Sequence, residues 1–200
     1  IQNIQKLSMS LDVNKIILIL DSEKMNDKQF LSKLISIGIY NFAKTEDELR
    51  YLYDKAEDKG VKHILHSGDF TDGKSNRPEH IYELRETSYQ GQIDYVIDKY
   101  PKYSGKTYAI QGNHDNWWYK SNGSEILKPI SKAREDIIYL GSDVSDMKIG
   151  NLKIRLFHGQ GGIAYAKSYK IQKYLDTIPI SEKPDILQTG HIHQAFYYKQ

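Results

Sequence analysis

Two hundred residues with 39% hydrophobic content suffice for one buried core, and a net charge of +2 gives no strong footprint for nucleic acid. The absence of cysteine excludes disulfides and thiolate metal sites, and the longest uninterrupted aliphatic run, Ile16 to Leu20, is far too short to cross a bilayer. With no basic-then-apolar segment at its start, the chain is expected to be soluble and cytoplasmic, and its sixteen tyrosines are read mainly as half-buried packing.

Residues 1–14 show little periodicity. Lys15 to Asp21 reads as a buried strand ending in a carboxylate. Asn26 then looks like a helix cap, with Gln29 in the capping-box position, Phe30, Leu31, Leu34 and Ile35 as an apolar stripe and Gly38 as the stop. Ile39 to Phe42 completes a strand–helix–strand unit. Thr45 to Glu48 is a second capping box, opening a helix through Leu49, Leu52, Tyr53 and Ala56 that Gly60 stops. Val61 to Leu65 is an apolar-rich run ending in Ser67-Gly68-Asp69, with Asp72 following. The polar loop from Gly73 to Pro78 carries Arg77, with His80 just beyond, and both are read as solvated residues ahead of phosphate contacts. A long helix is expected over Glu79 to Lys99, with Gly91 costing about 1 kcal/mol inside it and Pro101 ending it.

Thr107 to Ile110 is β-prone and runs into Gln111-Gly112-Asn113-His114-Asp115, read as a loop. Trp117, Trp118 and Tyr119 are read as core closure ahead of stacking on a base or sugar. Ser124 to Ala133 has the features of a short helix that Pro129 interrupts or starts. Ile137 to Leu140 and Met147 to Ile149 read as short strands, and Leu152 to Phe157 as a strand ending in His158-Gly159. Gly161-Gly162 is a flexible loop, Ser168 to Leu175 a helix, and Pro179 to Pro184 a connector. Asp185-Ile186-Leu187 leads into Gly190-His191-Ile192-His193, and Phe196 to Tyr198 is a last β-prone run.

Four strands thus deliver Asp69, Asn113-His114-Asp115, His158 and His191-x-His193 at their C-terminal ends, the edge of an α/β sheet where ligands bind. Each piece alone is ordinary turn chemistry. Together they form a mixed nitrogen and oxygen donor set suited to Mn, Fe, Zn or a similar divalent ion, on loops held by a rigid sheet.

These residues resemble the calcineurin-like metallophosphoesterases. That family's motifs run Asp-x-His, Gly-Asp-x-x-Asp, Gly-Asn-His-Asp/Glu, His-Gly and Gly-His-x-His. The last four stand here in order as Gly68-Asp69-Phe70-Thr71-Asp72, Gly112-Asn113-His114-Asp115, His158-Gly159 and Gly190-His191-Ile192-His193, within a resemblance covering roughly residues 47 to 198. The first motif is missing in its usual form. Leu20-Asp21-Ser22-Glu23 stands in its place, Glu23 sits where the histidine belongs, and 48 residues separate Asp21 from Asp69. Either Asp21 and Glu23 supply oxygen ligands, or the unit resembles a piece of a receiver-like domain and Asp21 is an ordinary strand-end carboxylate.

The resemblance implies a four-layer α/β/β/α sandwich in one domain over residues 1–200, with 1–45 an atypical strand–helix–strand segment and 46–200 the family-like core. It implies two divalent ions, Mn²⁺ first, with Fe, Zn, Ni or Mg as alternatives. Asp69 would bridge them, Asn113, His158 and His191 completing one shell and His193 with Asp21 the other. A bridging hydroxide would attack phosphorus. His114, with Asn113, would contact the phosphate and protonate the departing oxygen, Asp115 would orient that imidazole, and Asp72 would stand behind it. The implied activity is hydrolysis of a phosphoester, a small phosphodiester first. A nuclease is the alternative that the weak charge disfavours, and a catalytically weakened scaffold with a tyrosine-rich contact face is the alternative from another class.

Overall fold

The computed structural model describes residues 18–19, 42–43, 46–74, 81–82, 84–159, 161 and 169–191. The chain divides into two compact units, one comprising Ile1–Lys62, Pro101–Tyr103 and His193–Gln200, the other His63–Tyr100 and Ser104–Ile192.

In the first unit, β1 (Leu18–Ile19) and β2 (Phe42–Ala43) pair in parallel, and helix α1 covers Glu46–Asp58. Glu46, Asp47 and Glu48 fill the first turn of α1, where negative charge meets the positive end of the helix dipole. Leu52, Tyr53 and Ala56 recur at helical spacing and are buried. Tyr53 meets Tyr103 edge-on at 5.5 Å, and the Tyr103 hydroxyl donates to the Val61 carbonyl. The helix expected from Asn26 to Gly38, and Asp21 and Glu23 with it, lie outside the described residues.

The second unit holds two three-stranded sheets. Strands β3 (His63–His66), β4 (Lys106–Gln111) and β5 (Ile137–Ser142) form a parallel sheet in the order β3-β4-β5. Strands β6 (Val144–Ile149), β7 (Leu152–Phe157) and β8 (Ile186–Thr189) form the other, with β6 antiparallel and β8 parallel to β7. Alternation along β4 explains how they pack. Ala109 faces helices α2 (Tyr89–Lys99), α3 (Asn113–Asn122) and α4 (Leu127–Ala133), joining Ile93, Val96, Trp118, Ile126, Leu127, Ile130 and Ile137 in one core. Ile110 faces the other way and packs with Ile154 and Leu156 of β7, so β4 is buried on both faces. On the far face of β7, Phe157 stacks on Tyr174 of α5 (Tyr169–Thr177) at 4.0 Å.

Three sequence expectations change. The long helix begins at Tyr89 rather than Glu79, because Ser88 caps it: the Ser88 hydroxyl accepts from the Gly91 N–H at 2.9 Å, which puts Gly91 in the first turn and not the middle. Asn113, His114 and Asp115 are not a loop but the first turn of α3, with Gly112 as its cap in extended backbone. Pro129 neither breaks nor starts α4; it is the third residue, where a backbone N–H would lack a partner within the helix anyway.

Arg134 ties α2 to β5. The residue is 5% exposed and donates to both oxygens of Asp136 at 2.8 and 2.6 Å, and to the Ile97 and Tyr100 carbonyls at 3.3 and 2.9 Å. A planar fork satisfies these acceptors together, and lysine would not. Arg134→Ala should lower the free energy of unfolding in urea by about 3 kcal/mol, since it strands a half-buried carboxylate and the last carbonyls of α2; a loss under about 1 kcal/mol would show the pairing to be dispensable.

Candidate metal centre

Within the second unit the C-terminal ends of β3, β4, β7 and β8 meet. Gln188 on β8 donates to the Leu65 carbonyl at 3.0 Å, and the Gly190 N–H to the Phe157 carbonyl at 3.2 Å, which sets the loops after these strands side by side. Asp69, Asn113, His158 and His191 stand where they converge. The Asn113 Oδ1 lies 2.8 Å from His158 Nε2 and 2.7 Å from His191 Nδ1, and Asp69 Oδ2 is 3.3 Å from His158 Nε2. Ligand atoms of Asp69, His158 and His191 all lie within 4.8 Å of one another.

The hydrogen bonds made by the far nitrogens of the two imidazoles determine what this cluster can hold. His158 Nδ1 is 2.8 Å from the Ser67 carbonyl and His191 Nε2 is 3.1 Å from the Gly161 carbonyl. A carbonyl only accepts, so each of these nitrogens carries its proton. In the neutral imidazoles the lone pairs of His158 Nε2 and His191 Nδ1 then point at a carboxylate and an amide oxygen, acceptor toward acceptor. A divalent cation resolves that arrangement, and far nitrogens fixed by carbonyls are characteristic of metal-ligating histidines. The donor set fits a divalent metal ion. Protonated at Nε2 instead, His158 would donate to Asp69. Burial works to lower the His158 pKa, but the hydrogen bond and charge of Asp69 and the Ser67 carbonyl outweigh it and the net shift is upward. Burial works to raise Asp69, but hydrogen bonds from His158 and the His114 N–H outweigh it and hold the carboxyl below its ordinary range.

Close approach explains the glycines. A Cβ on Gly112 would collide with Asp69 Oδ1 and come within 2.5 Å of His158 Cε1, and one on Gly68 would collide with His158 Nδ1. Asp69 and His191 themselves adopt left-handed backbone, at φ 58° and 67°, at a cost of roughly 1–2 kcal/mol each.

Asp115 does something other than what the sequence suggested. Its carboxylate, 0% exposed, does not bond the His114 ring; Oδ1 accepts from the Thr71 N–H and hydroxyl, both at 2.8 Å, and Oδ2 from the Phe70 and Gly112 N–H groups at 3.0 and 2.9 Å. It pins the loop after β3 to the first turn of α3. Burial pushes its pKa up to about 6 against those four donors. The His114 ring is held by the Asp72 backbone carbonyl at 2.9 Å and lies against Trp117, ring centroids 4.2 Å apart. Asp72 therefore contributes its main chain. His193 and Asp21 lie outside the described residues, as do Arg77 and His80.

A supporting network went unread in the sequence. Asn116 accepts from Gln111 Nε2 at 2.8 Å and Ser142 Oγ at 2.9 Å and donates to Asp143 at 3.0 Å, and the Asp143 carbonyl receives the His158 N–H at 2.8 Å. The left-handed Asp143, at φ 61°, makes the tight turn between β5 and β6. The signal available was Gly141-Ser142-Asp143, three turn-prone residues that follow the apolar run Ile137 to Leu140.

Asp115→Asn should destabilise the protein by about 1–3 kcal/mol, read from urea unfolding, because an NH₂ group would then face N–H donors with no acceptor between them. An unchanged midpoint would remove Asp115 as the anchor of the loop.

No curated protein matches the chain. A solved structure of an archaeal phosphodiesterase is distantly similar, with 17% identity over 76% of this chain and 69% of that one and a TM-score of 0.45. The family model for the calcineurin-like phosphoesterase superfamily domain matches residues 44–200, which takes in all four strand ends just described. The chain belongs to the calcineurin-like phosphoesterase superfamily.

Proposed function

We propose that this phosphoesterase is a metal-dependent phosphodiesterase acting on small phosphodiesters. The convergence of Asp69, Asn113, His158 and His191, with both imidazole lone pairs turned inward, is the observation that carries the reading. These four residues hold a divalent ion, Mn²⁺ first among those suited to the nitrogen and oxygen donors. Bound there, the ion supplies Lewis acidity toward phosphoryl oxygens and a water acidic enough to attack near neutral pH. His193 serves a second ion together with Asp69, and Asp21 or Glu23 takes the place of the altered first motif. Residues 46–200 are the catalytic core, and 1–45 are a segment added to it.

His114 handles the proton. With Nδ1 donating to the Asp72 carbonyl, the ring gains and loses its proton at Nε2, the atom we assign to the departing oxygen. Asn113 and the backbone at the start of α3 lie beside it, where a helix N-terminus favours an anionic phosphoryl group.

The test is metal content and turnover on one sample: elemental analysis after Mn²⁺ loading and dialysis, with hydrolysis of bis-p-nitrophenyl phosphate and p-nitrophenyl phosphate assayed in parallel. Two ions per chain and faster turnover of the diester are expected. No bound ion and no turnover would overturn the enzyme reading and favour the scaffold. Asn113→Ala and His191→Ala should each remove at least one ion, and unchanged metal content in both would overturn the ligand assignment. His114→Ala should keep the metal and lower kcat for an ester with a poor leaving group by roughly 10²-fold, with a much smaller effect on p-nitrophenyl esters; parallel loss of metal would show that its role is misassigned.

A further inference from the structure

The side chain of Gln92, on α2, is 5% exposed and has every hydrogen-bonding position filled. Its Oε1 accepts from the Gly73 N–H and from Trp118 Nε1, both at 3.0 Å. Its Nε2 donates to the Gly73 carbonyl at 3.0 Å and the Glu86 carbonyl at 2.9 Å. Two donors on one side and two acceptors on the other fix the orientation of the amide, because a flip would turn four bonds into four clashes of like groups.

The peptide that Gln92 grips is the one that holds His114. The Asp72–Gly73 link presents its N–H to Gln92 and, on the opposite side of the same trans plane, its C=O to His114 Nδ1 at 2.9 Å. Such a link can rotate by half a turn when the second residue is glycine, since glycine accepts both signs of φ. Gly73 stands at φ +71° and no larger residue fits, because a Cβ there would collide with the His114 carbonyl. Rotation would withdraw the Asp72 carbonyl and offer the Gly73 N–H to His114 instead. Nδ1 would then accept, the proton of the neutral ring would move to Nε2, and the outward nitrogen would change its chemistry.

We propose that Gln92 is a positioning residue: its amide locks the Asp72–Gly73 peptide in the orientation that keeps a proton on His114 Nδ1 and leaves Nε2 to exchange a proton with the ester. The inference rests on the role of His114 given under the proposed function, and Gln92 itself touches neither substrate nor metal ligands.

The experiment is ¹⁵N spectroscopy of the histidine rings in the full chain loaded with diamagnetic Zn²⁺, in mildly alkaline buffer, alongside kinetics on a p-nitrophenyl and an alkyl phosphodiester. In the unmutated protein Nδ1 of His114 should be pyrrole-like and Nε2 pyridine-like; the reverse would overturn the proposal. Gln92→Met should move that signature toward the other tautomer and lower kcat for the alkyl ester by roughly tenfold, with KM and the p-nitrophenyl ester little changed. Retention of the signature would overturn it. Trp118→Phe removes one partner of the same amide but leaves both bonds to Gly73, so it should change neither readout; an equal shift would mean that general loosening of the core is responsible. Independently of any variant, the Gly73 N–H should be strongly protected from hydrogen exchange, and rapid exchange would overturn the proposal. A tautomer shift in a protein that hydrolyses no ester would uphold the lock while overturning the phosphoesterase mechanism, so the two can fail separately.

Discussion

One buried carboxylate carries an unusual share of this architecture. Asp115 receives four hydrogen bonds, from Gly112 in its own helix cap and from Phe70 and Thr71 in the loop after the neighbouring strand. An ionised carboxylate without partners would cost several kcal/mol at such depth, and burial alone moves its pKa upward. The donors make its position tolerable, and in return it leaves the two loops no freedom to slide. Asp69 precedes Phe70, while Asn113 and His114 precede Asp115, so the distance between the first and second of the four strand ends is set by this one group. Its place in the first turn of α3 also suits the helix dipole.

Backbone carbonyls decide the chemistry of the residues so placed. Ser67, Gly161 and Asp72 each accept from one nitrogen of His158, His191 and His114 respectively, and each thereby settles which nitrogen faces the site. Two lone pairs turn inward to Asn113 and Asp69, and in the third ring Nδ1 is engaged by the Asp72 carbonyl. The Ser67 carbonyl follows directly on β3, which the sheet ladder holds in place, while those of Asp72 and Gly161 belong to the loops after β3 and β7.

Most of the strand framework was legible from apolar runs and their turns. Thr107 to Ile110 and Leu152 to Phe157 stand out because one is β-prone throughout and the other alternates, and the structure has β4 buried on both faces and β7 with one inward set at Ile154 and Leu156. Helix α1 was legible from its acidic start and its stripe. The helix ends were less so. The apolar positions Ile81 and Leu84 suggested an earlier start for α2, and only the Ser88 cap, a choice among several hydroxyl residues, set it at Tyr89. The start of α3 was misread as loop because Asn, His and Asp favour turns, whereas here their side chains are drawn into the site and the cap, and the helix follows from that.

By itself the sequence determined the donor chemistry, the order of the strand ends and the family, because strand periodicity and glycine-flanked polar residues are local and leave a local trace. Tertiary structure decided which groups act on which. That Asp115 anchors a loop instead of orienting His114, that a main-chain carbonyl holds the His114 ring, and that Gln92 reaches that carbonyl's peptide from another helix depend on partners 19 to 45 residues apart. No local pattern encodes such pairs; the packing of helices and loops around one buried sheet brings them within bonding distance, and burial then makes each unmet donor or acceptor costly enough to hold them there.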